Sequence, residues 1–235
     1  MYKESFLMAW ASLVANKLRS LLTMLGIIIG VAAVIALVSI GNGVKQDIED
    51  SISSLGSNLL VVLPGAPRTP GARPSQGSMK SLKISDYEAI AKLEGVKAAS
   101  PMTNGSYVVI YQNKNWTTSV AGVNANFQDV NNWTMTSGRF FSDKNVQNRE
   151  RVAVVGQTVV KNLFADEDPV GKEIRVKNIP FRVIGVLKSK GNGTMGNDQD
   201  DTVLIPYTTS MERVEGIDYL RRVYVCLLYT SDAAD

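Results

Sequence analysis

The sequence has no histidine and a single cysteine, Cys226. Without an imidazole there can be no Ser-His-Asp triad, no Cys-His pair, no His-ligated zinc and no imidazole proton shuttle. One cysteine cannot close a disulfide within the chain, so the fold rests on packing alone. Charge of either sign is also scarce in net terms: the balance over 235 residues is +3, and the basic residues are scattered rather than gathered in a stripe. That pattern argues against a nucleic-acid partner. No G-x-x-x-x-G-K-S/T phosphate loop occurs, so these residues offer no Walker-type nucleotide site. A hydrophobic content of 45% leaves ample material for a core.

What the sequence does have is one long apolar run. Residues 21–40 carry no charge, and at helical rise they span roughly 30 Å, the thickness of a hydrocarbon core. Thr23 and Ser39 can bond back to the helix. Gly26 and Gly30 form a small-xxx-small pair that either admits a second helix or is simply tolerated in lipid. The run is too long for a signal-peptide core and no small-x-small cleavage site follows Ile40, so a retained transmembrane helix is expected. Lys3, Lys17 and Arg19 precede it with only Glu4 opposing, whereas Asp47, Glu49 and Asp50 follow Lys45. The positive-inside rule then places the N-terminus in the cytoplasm and everything beyond about residue 41 outside. Residues 1–20 repeat Phe6, Trp10, Leu13, Val14, Leu18 and Leu21 at helical spacing. They read as a cytoplasmic interfacial helix with Trp10 at headgroup depth and Lys17 and Arg19 at the membrane interface, or as a polar lead-in to the span.

Past the run, Gly41 and Gly43 flank Asn42 and mark a hinge rather than a phosphate loop. Val44, Ile48, Ile52 and Leu55 then predict an amphipathic stalk helix over residues 41–56. Residues 58–63 form a short strand, and residues 64–78 are too rich in Pro, Gly and Ser to pack. Ser85 followed by Glu88 predicts a capped helix whose buried face is Tyr87, Ile90, Ala91 and Leu93, stopping at Gly95. Residues 96–102, 106–111 and 116–123 read as strands, the last two joined by a turn over 112–115. A second set follows: strand 151–155, helix 156–164, strands 173–176 and 181–187 paired across 177–180, and strand 203–206. Gly156 after Val152-Ala153-Val154-Val155 lacks the further glycines of a dinucleotide fold and reads as a structural turn. The acidic loop 191–201, with Asn192, Asn197, Asp198, Asp200 and Asp201, does not match an EF-hand and reads as solvated and flexible. The N-x-S/T triplets at Asn104, Asn115, Asn132 and Asn192 carry no weight in a bacterial setting. No pair of Asp, Glu, Lys or Ser specifies acid/base or nucleophilic work, so no catalytic, cofactor or metal residue is assigned.

The order of helices and the stretch from Ala9 through Trp10, Ser12, Asn16, Lys17, Arg19 and Thr23 to Gly30 resemble the opening of ABC-transporter permeases of the MacB/FtsX type. So do Gly138-Arg139-Phe140-Phe141, Val152 to Gly156, Asp168-Pro169-Val170-Gly171-Lys172, Phe181 to Val186 and Ile205-Pro206-Tyr207. The resemblance implies an α+β extracytoplasmic region of two mixed subdomains. A porter-like one covers residues 57–125 and returns at 213–225, and a Sabre-like one is inserted at 126–212. It further implies a location in the bacterial cytoplasmic (inner) membrane, a partner cytoplasmic ABC ATPase that supplies ATP hydrolysis, a second permease copy as homodimer or paired permease, and a periplasmic adaptor protein. Its task would be to couple the partner's ATP hydrolysis to movement of the outer domains, for export or extraction of substrates.

The family's further spanning helices and cytoplasmic coupling loop are not in these residues, so the permease is expected to be truncated. Residues 226–235 continue none of its motifs and read as a non-native tail. A single-pass anchored sensor or binding module is the alternative from a different class. Long-read resequencing of the locus is expected to replace the tail with coding sequence; the same terminus followed by a stop codon would refute this.

Overall fold

A computed structural model describes residues 3–5, 8, 17–55, 58–65, 80–165, 167–193 and 197–228. Trp10, and most of the segment expected to lie at the interface, falls outside the described residues, as do residues 66–79 of the Pro/Gly/Ser-rich stretch and residues 229–235 of the tail. The chain divides into two compact units, Met1–Asp50 and Ser51–Asp235.

Helix α1 runs Lys17–Leu55 as one 39-residue element. It passes through Gly41 and Gly43 without a break, so the expected membrane and stalk helices are one continuous rod of backbone. The apolar side chains of its residues 17–45 are exposed, with Leu21 at 65%, Ile28 at 57% and Ile40 at 65% of their full accessibility. By length and composition the stretch Lys17–Lys45 is sufficient to cross a membrane. The Thr23 hydroxyl donates to the carbonyls of Arg19 and Ser20, 3.0 Å each, and so brings no unpaired polar group into the run.

The second unit is built on nine strands: β1 (Leu59–Val62), β2 (Val96–Tyr111), β3 (Lys114–Val123), β4 (Met135–Gly138), β5 (Val152–Val155), β6 (Glu173–Val176), β7 (Ile179–Leu187), β8 (Thr202–Pro206) and β9 (Arg222–Leu227). Their order is β1-β9-β2-β3-β8-β5-β7-β4, with β6 bridging β2 and β7. Pairs β3–β8 and β5–β7 are parallel and the remainder antiparallel. Between the strands lie α2 (Ile84–Ile90), α3 (Phe127–Val130), α4 (Asp143–Gln147), α5 (Gln157–Leu163), α6 (Tyr207–Thr209) and a π-helix, Ser210–Glu215.

The apolar run at Val152-Ala153-Val154-Val155 is explained by burial of β5 on both faces. Ala153 and Val155 enter one core with Leu163, Phe181 and Ile205, while Val152 and Val154 enter another with Phe141, Leu187 and Leu204. A strand covered on both sides reads as continuous rather than alternating hydrophobicity. A third core, with Leu82, Leu220, Val223 and Val225, lies beneath α2.

Several local expectations are corrected. The cap of α2 is Lys83, not Ser85: the Asp86 carboxylate accepts the Lys83 backbone N–H at 2.8 Å. Only Ile84, Tyr87 and Ile90 pack inward, and Ala91 and Leu93 are exposed. The strands expected at 96–102 and 106–111 are one strand, β2. Both hairpin turns shorten to two residues, Gln112-Asn113 and Lys177-Asn178, because Tyr111 pairs with Lys114 and Val176 with Ile179. Lys177 and Asn178 both take positive φ, 50° and 67°, the geometry that matches strand twist in a tight hairpin. Strand β9 continues through Cys226 and Leu227, which pair with β1 and β2, past the boundary expected at Val225.

The described part of the acidic loop is held by its own carboxylates. Asp200, 5% exposed, accepts the Lys190 N–H at 2.8 Å, the Gly191 N–H at 3.1 Å and the Ser189 hydroxyl. Asp198 accepts the Thr158 hydroxyl at 2.6 Å, and Asp201 accepts the Trp116 indole N–H at 2.8 Å. Gly156 is required for this closure, since a Cβ there would lie 2.1 Å from the Asp200 carbonyl oxygen. Replacing Asp200 by Ala orphans three donors and is expected to cost about 2–4 kcal/mol, and Gly156→Ala at least about 1–3 kcal/mol by overpacking. Urea unfolding of the full chain in detergent checks both; midpoints unchanged from the parent would refute this account of the loop.

Candidate functional site

Two features of the described residues can serve a function: the bare apolar helix and a cleft in the sheet-rich unit. In the first, Lys17 and Arg19 sit on the first turns of α1, exposed, with the uncharged run beginning just after them. Gly26, Gly30, Gly41 and Gly43 are all in helical backbone. A Cβ added at any of them would meet nothing within 4 Å, so no contact inside this chain explains them. The stretch Lys17–Lys45 is long and apolar enough to cross a membrane.

The cleft arises from a change of partner along β2. From Val96 to Met102 this strand pairs with β9, and from Thr103 to Tyr111 it pairs with β3. On the outer sheet, residues opposite each other share a face, so Leu60, Val62, Val223 and Val225 turn toward α2 while Leu59, Val61 and Tyr224 turn the other way. Helix α3 covers only part of that second face, where Phe127 meets Tyr224 edge-on at 5.8 Å. What is left uncovered is a cavity of about 630 Å³. Leu59, Val61 and Tyr224 form one wall; Trp133, Leu204 and the loop at Asn197–Gln199 are among the residues of the rest.

The cleft is of mixed polarity, with Asn131, Asp198 and Asp201 in its lining, and Lys190 and Arg222 lie outside that lining against its Trp133 and Tyr224. The Lys190 ammonium lies 4.5 Å from the centre of the Trp133 ring and donates to the Asn131 carbonyl at 2.5 Å. Burial pushes its pKa below the ordinary lysine range, opposed by the nearby Asp200 carboxylate. The Arg222 guanidinium donates to the Tyr224 hydroxyl at 3.3 Å. Asp198 and Asp201 contribute carboxylates whose oxygens already accept protein donors. Among the described residues no group of three or more His, Cys, Asp or Glu is placed to hold a metal. Nothing in the cleft pairs an activated nucleophile with a base.

None of the described residues assigned to the membrane segment lines this cleft, whereas Asn197, Asp198 and Asp201 of the acidic loop do. Reading the sequence missed Trp133 and Tyr224 because they come from separate elements, Trp133 placed beside Lys190 by the β4–β7 pairing and Tyr224 by the pairing of β9 with β1 and β2. The one available hint was an aromatic and a lysine in otherwise loop-like segments, too common a pattern to single out.

Comparison with known proteins gives a consistent result. Residues 20–234 match the family of the MacB-like periplasmic core domain. A macrolide export ATP-binding/permease protein MacB from Rhodospirillum rubrum is 46% identical over 221 residues, 93% of this chain and 33% of the relative. Its counterpart from Chlorobium luteolum is 41% identical over 218 residues, 92% of this chain and 33% of the relative. The chain thus spans about a third of the length of these curated relatives. The crystal structure of the periplasmic region of MacB from Actinobacillus actinomycetemcomitans superposes with a TM-score of 0.64 at 27% identity, covering 78% of this chain and 79% of that one. The extracellular domain of the noncanonic ABC-type transporter YknZ from Gram-positive bacteria shares the fold at a TM-score of 0.61 and 20% identity, covering 74% of this chain and 85% of that one. This chain therefore belongs to the MacB-like periplasmic core domain family, and the matched stretch includes, among the described residues, one helix long and apolar enough to cross a membrane.

Proposed function

We propose that α1 anchors this chain in the bacterial inner membrane and carries motion, driven by ATP hydrolysis on the cytoplasmic side, into the extracytoplasmic domain, for export or extraction of a substrate. The observation that carries this reading is the continuity of α1: one helix holds the whole apolar run and ends only four residues before β1. Backbone hydrogen bonds within such a rod let an axial or tilting displacement at one end reach the other. Residues 21–40 cross the bilayer. Trp10, Lys17 and Arg19 hold the cytoplasmic interface, where residues 1–20 lie as an amphipathic helix. Gly26 and Gly30 give a second permease copy a close approach, and Gly41 and Gly43 let the rod bend where it leaves the membrane.

The outer region divides into a porter-like part, residues 57–125 with a return at 213–225, and a Sabre-like insertion at 126–212. Support for the return comes from β9, which pairs with β1 and β2. The chain works with an ABC ATPase, with ATP bound outside these residues, and with a periplasmic adaptor. The relatives' name joins ATP-binding and permease functions with macrolide export, and apolar substrates of that kind are the first to test.

The glycine hinge supplies the decisive experiment. Gly41→Ala with Gly43→Ala stiffens the helix by about 2 kcal/mol in all, roughly 30-fold in a straight-to-bent equilibrium. In the assembled transporter, ATP hydrolysis is expected to stay within about two-fold of the parent while export falls roughly ten-fold or more. Export unchanged would refute bending at Gly41 and Gly43, and export lost in step with hydrolysis would refute transmission through α1.

A further inference from the structure

The crossing of β2 and β9 holds an unusual concentration of unpaired buried polar atoms. Of those among the described residues, Asn104 Oδ1, Arg221 Nε and Arg222 Nε all lie where β2 leaves β9 for β3. A buried polar atom without a partner costs about 1–3 kcal/mol, so a native structure that keeps several in one place calls for a physical reason. Of these, the Arg222 donor and the Asn104 acceptor are complementary and are left apart. In the register, Arg222 pairs with Met102, so it lies diagonally across from Asn104 on the same face of the sheet.

The opposite face of the crossing is occupied by a closed relay. The Thr103 and Ser210 hydroxyls meet at 2.8 Å, both side chains fully buried, and the Ser210 hydroxyl donates to Glu215 Oε1 at 3.1 Å. Glu215, its side chain 3% exposed, faces Arg221 at 3.8 Å, near the outer limit of an ion pair. The relay sits on the π-helix, a form common where a helix serves a purpose other than packing. Gly122 makes room for it: a Cβ there would fall 2.4 Å from Ser210 Cβ and 2.5 Å from Thr103 Oγ1.

We propose that this crossing is a two-state hinge. In the described state the Thr103–Ser210–Glu215–Arg221 relay is closed and Asn104 is unpaired. In the second state the β1–β9 layer has turned against the β3–β8 layer, Arg222 reaches Asn104, and the long Glu215–Arg221 contact is given up. Because Leu59, Val61 and Tyr224 move with the first layer while Trp133 and Leu204 stay with the second, the turn changes the width of the cleft. Two packings of nearly equal energy, each leaving something unpaired, are what an element needs in order to respond to a push or a ligand. The hinge rests on the reading that motion is delivered to this domain, but its test requires no ATP, so the two can fail separately.

The test is a distance measurement between spin labels at Lys92→Cys and Lys161→Cys in the full chain, with Cys226→Ser, in lipid nanodiscs. Lys92 follows α2, which packs on the first layer, and Lys161 is on α5, which packs on the second; both are exposed. Glu215→Gln removes the charge that holds Arg221 and is expected to move the population between two distances by about five-fold or more. Ser210→Ala breaks the relay without altering charge and should shift it the same way. Asn104→Ala removes the acceptor of the second state and should shift it oppositely. Thermal melting identifies any variant that fails to fold, and the remaining ones then decide. A single distance, the same in the parent and in every folded variant, overturns the hinge and is also the result expected if a buried water simply fills the crossing.

Discussion

An uncharged helix with no protein around it is the constraint from which the rest follows. The side chains of residues 21–40 find no core in their own unit, and burying such side chains is worth roughly 1.5–3 kcal/mol each. Their total far exceeds the stability of an ordinary domain. Lipid is the medium that removes this surface from water without any other protein. Once the run is in a bilayer, the charges at Lys17 and Arg19 on one side and Lys45 on the other bound it. What comes after must then fold where the chain emerges, with no disulfide to help and no metal group among the described residues.

The sheet-rich unit meets that demand with one long strand. β2 is 16 residues long and serves two layers in turn, its first half held by β9 and its second by β3. A shared strand makes the layers mechanically continuous, yet it also concentrates their relative freedom at a single crossing. The third core under α2 belongs to the first layer, whereas the cores on either side of β5 belong to the second. The cleft is the space that this division leaves.

Much of this was legible in the sequence where one residue type dominates a local choice. The apolar run, Gly156 as a turn, and a strand ending at Val155 were readable because composition alone sets them, whereas burial of that strand on both faces emerged only from the structure. The resemblance to MacB-type permeases was legible in motifs spread along most of the chain. Less readable were features decided by distant partners. Ser85 looked like the better cap, but the chain enters α2 two residues earlier because Asp86 can reach the Lys83 N–H. Carboxylates in the 191–201 loop looked solvated, and only folding brings the Lys190 and Gly191 N–H groups, Thr158 and Trp116 to them. The cleft was hidden for the same reason, since its walls are far apart in sequence.

The central claim is that α1 threads a bilayer with Lys17 inside and Lys45 outside. Single cysteines at Lys17, Ile28 and Lys45, in a Cys226→Ser chain expressed in intact cells, measure it directly with a membrane-impermeant maleimide. The account predicts reaction at position 45 in intact cells, at 17 only after permeabilisation, and at 28 in neither case. Labelling of position 17 from outside, or ready labelling of position 28, would contradict it.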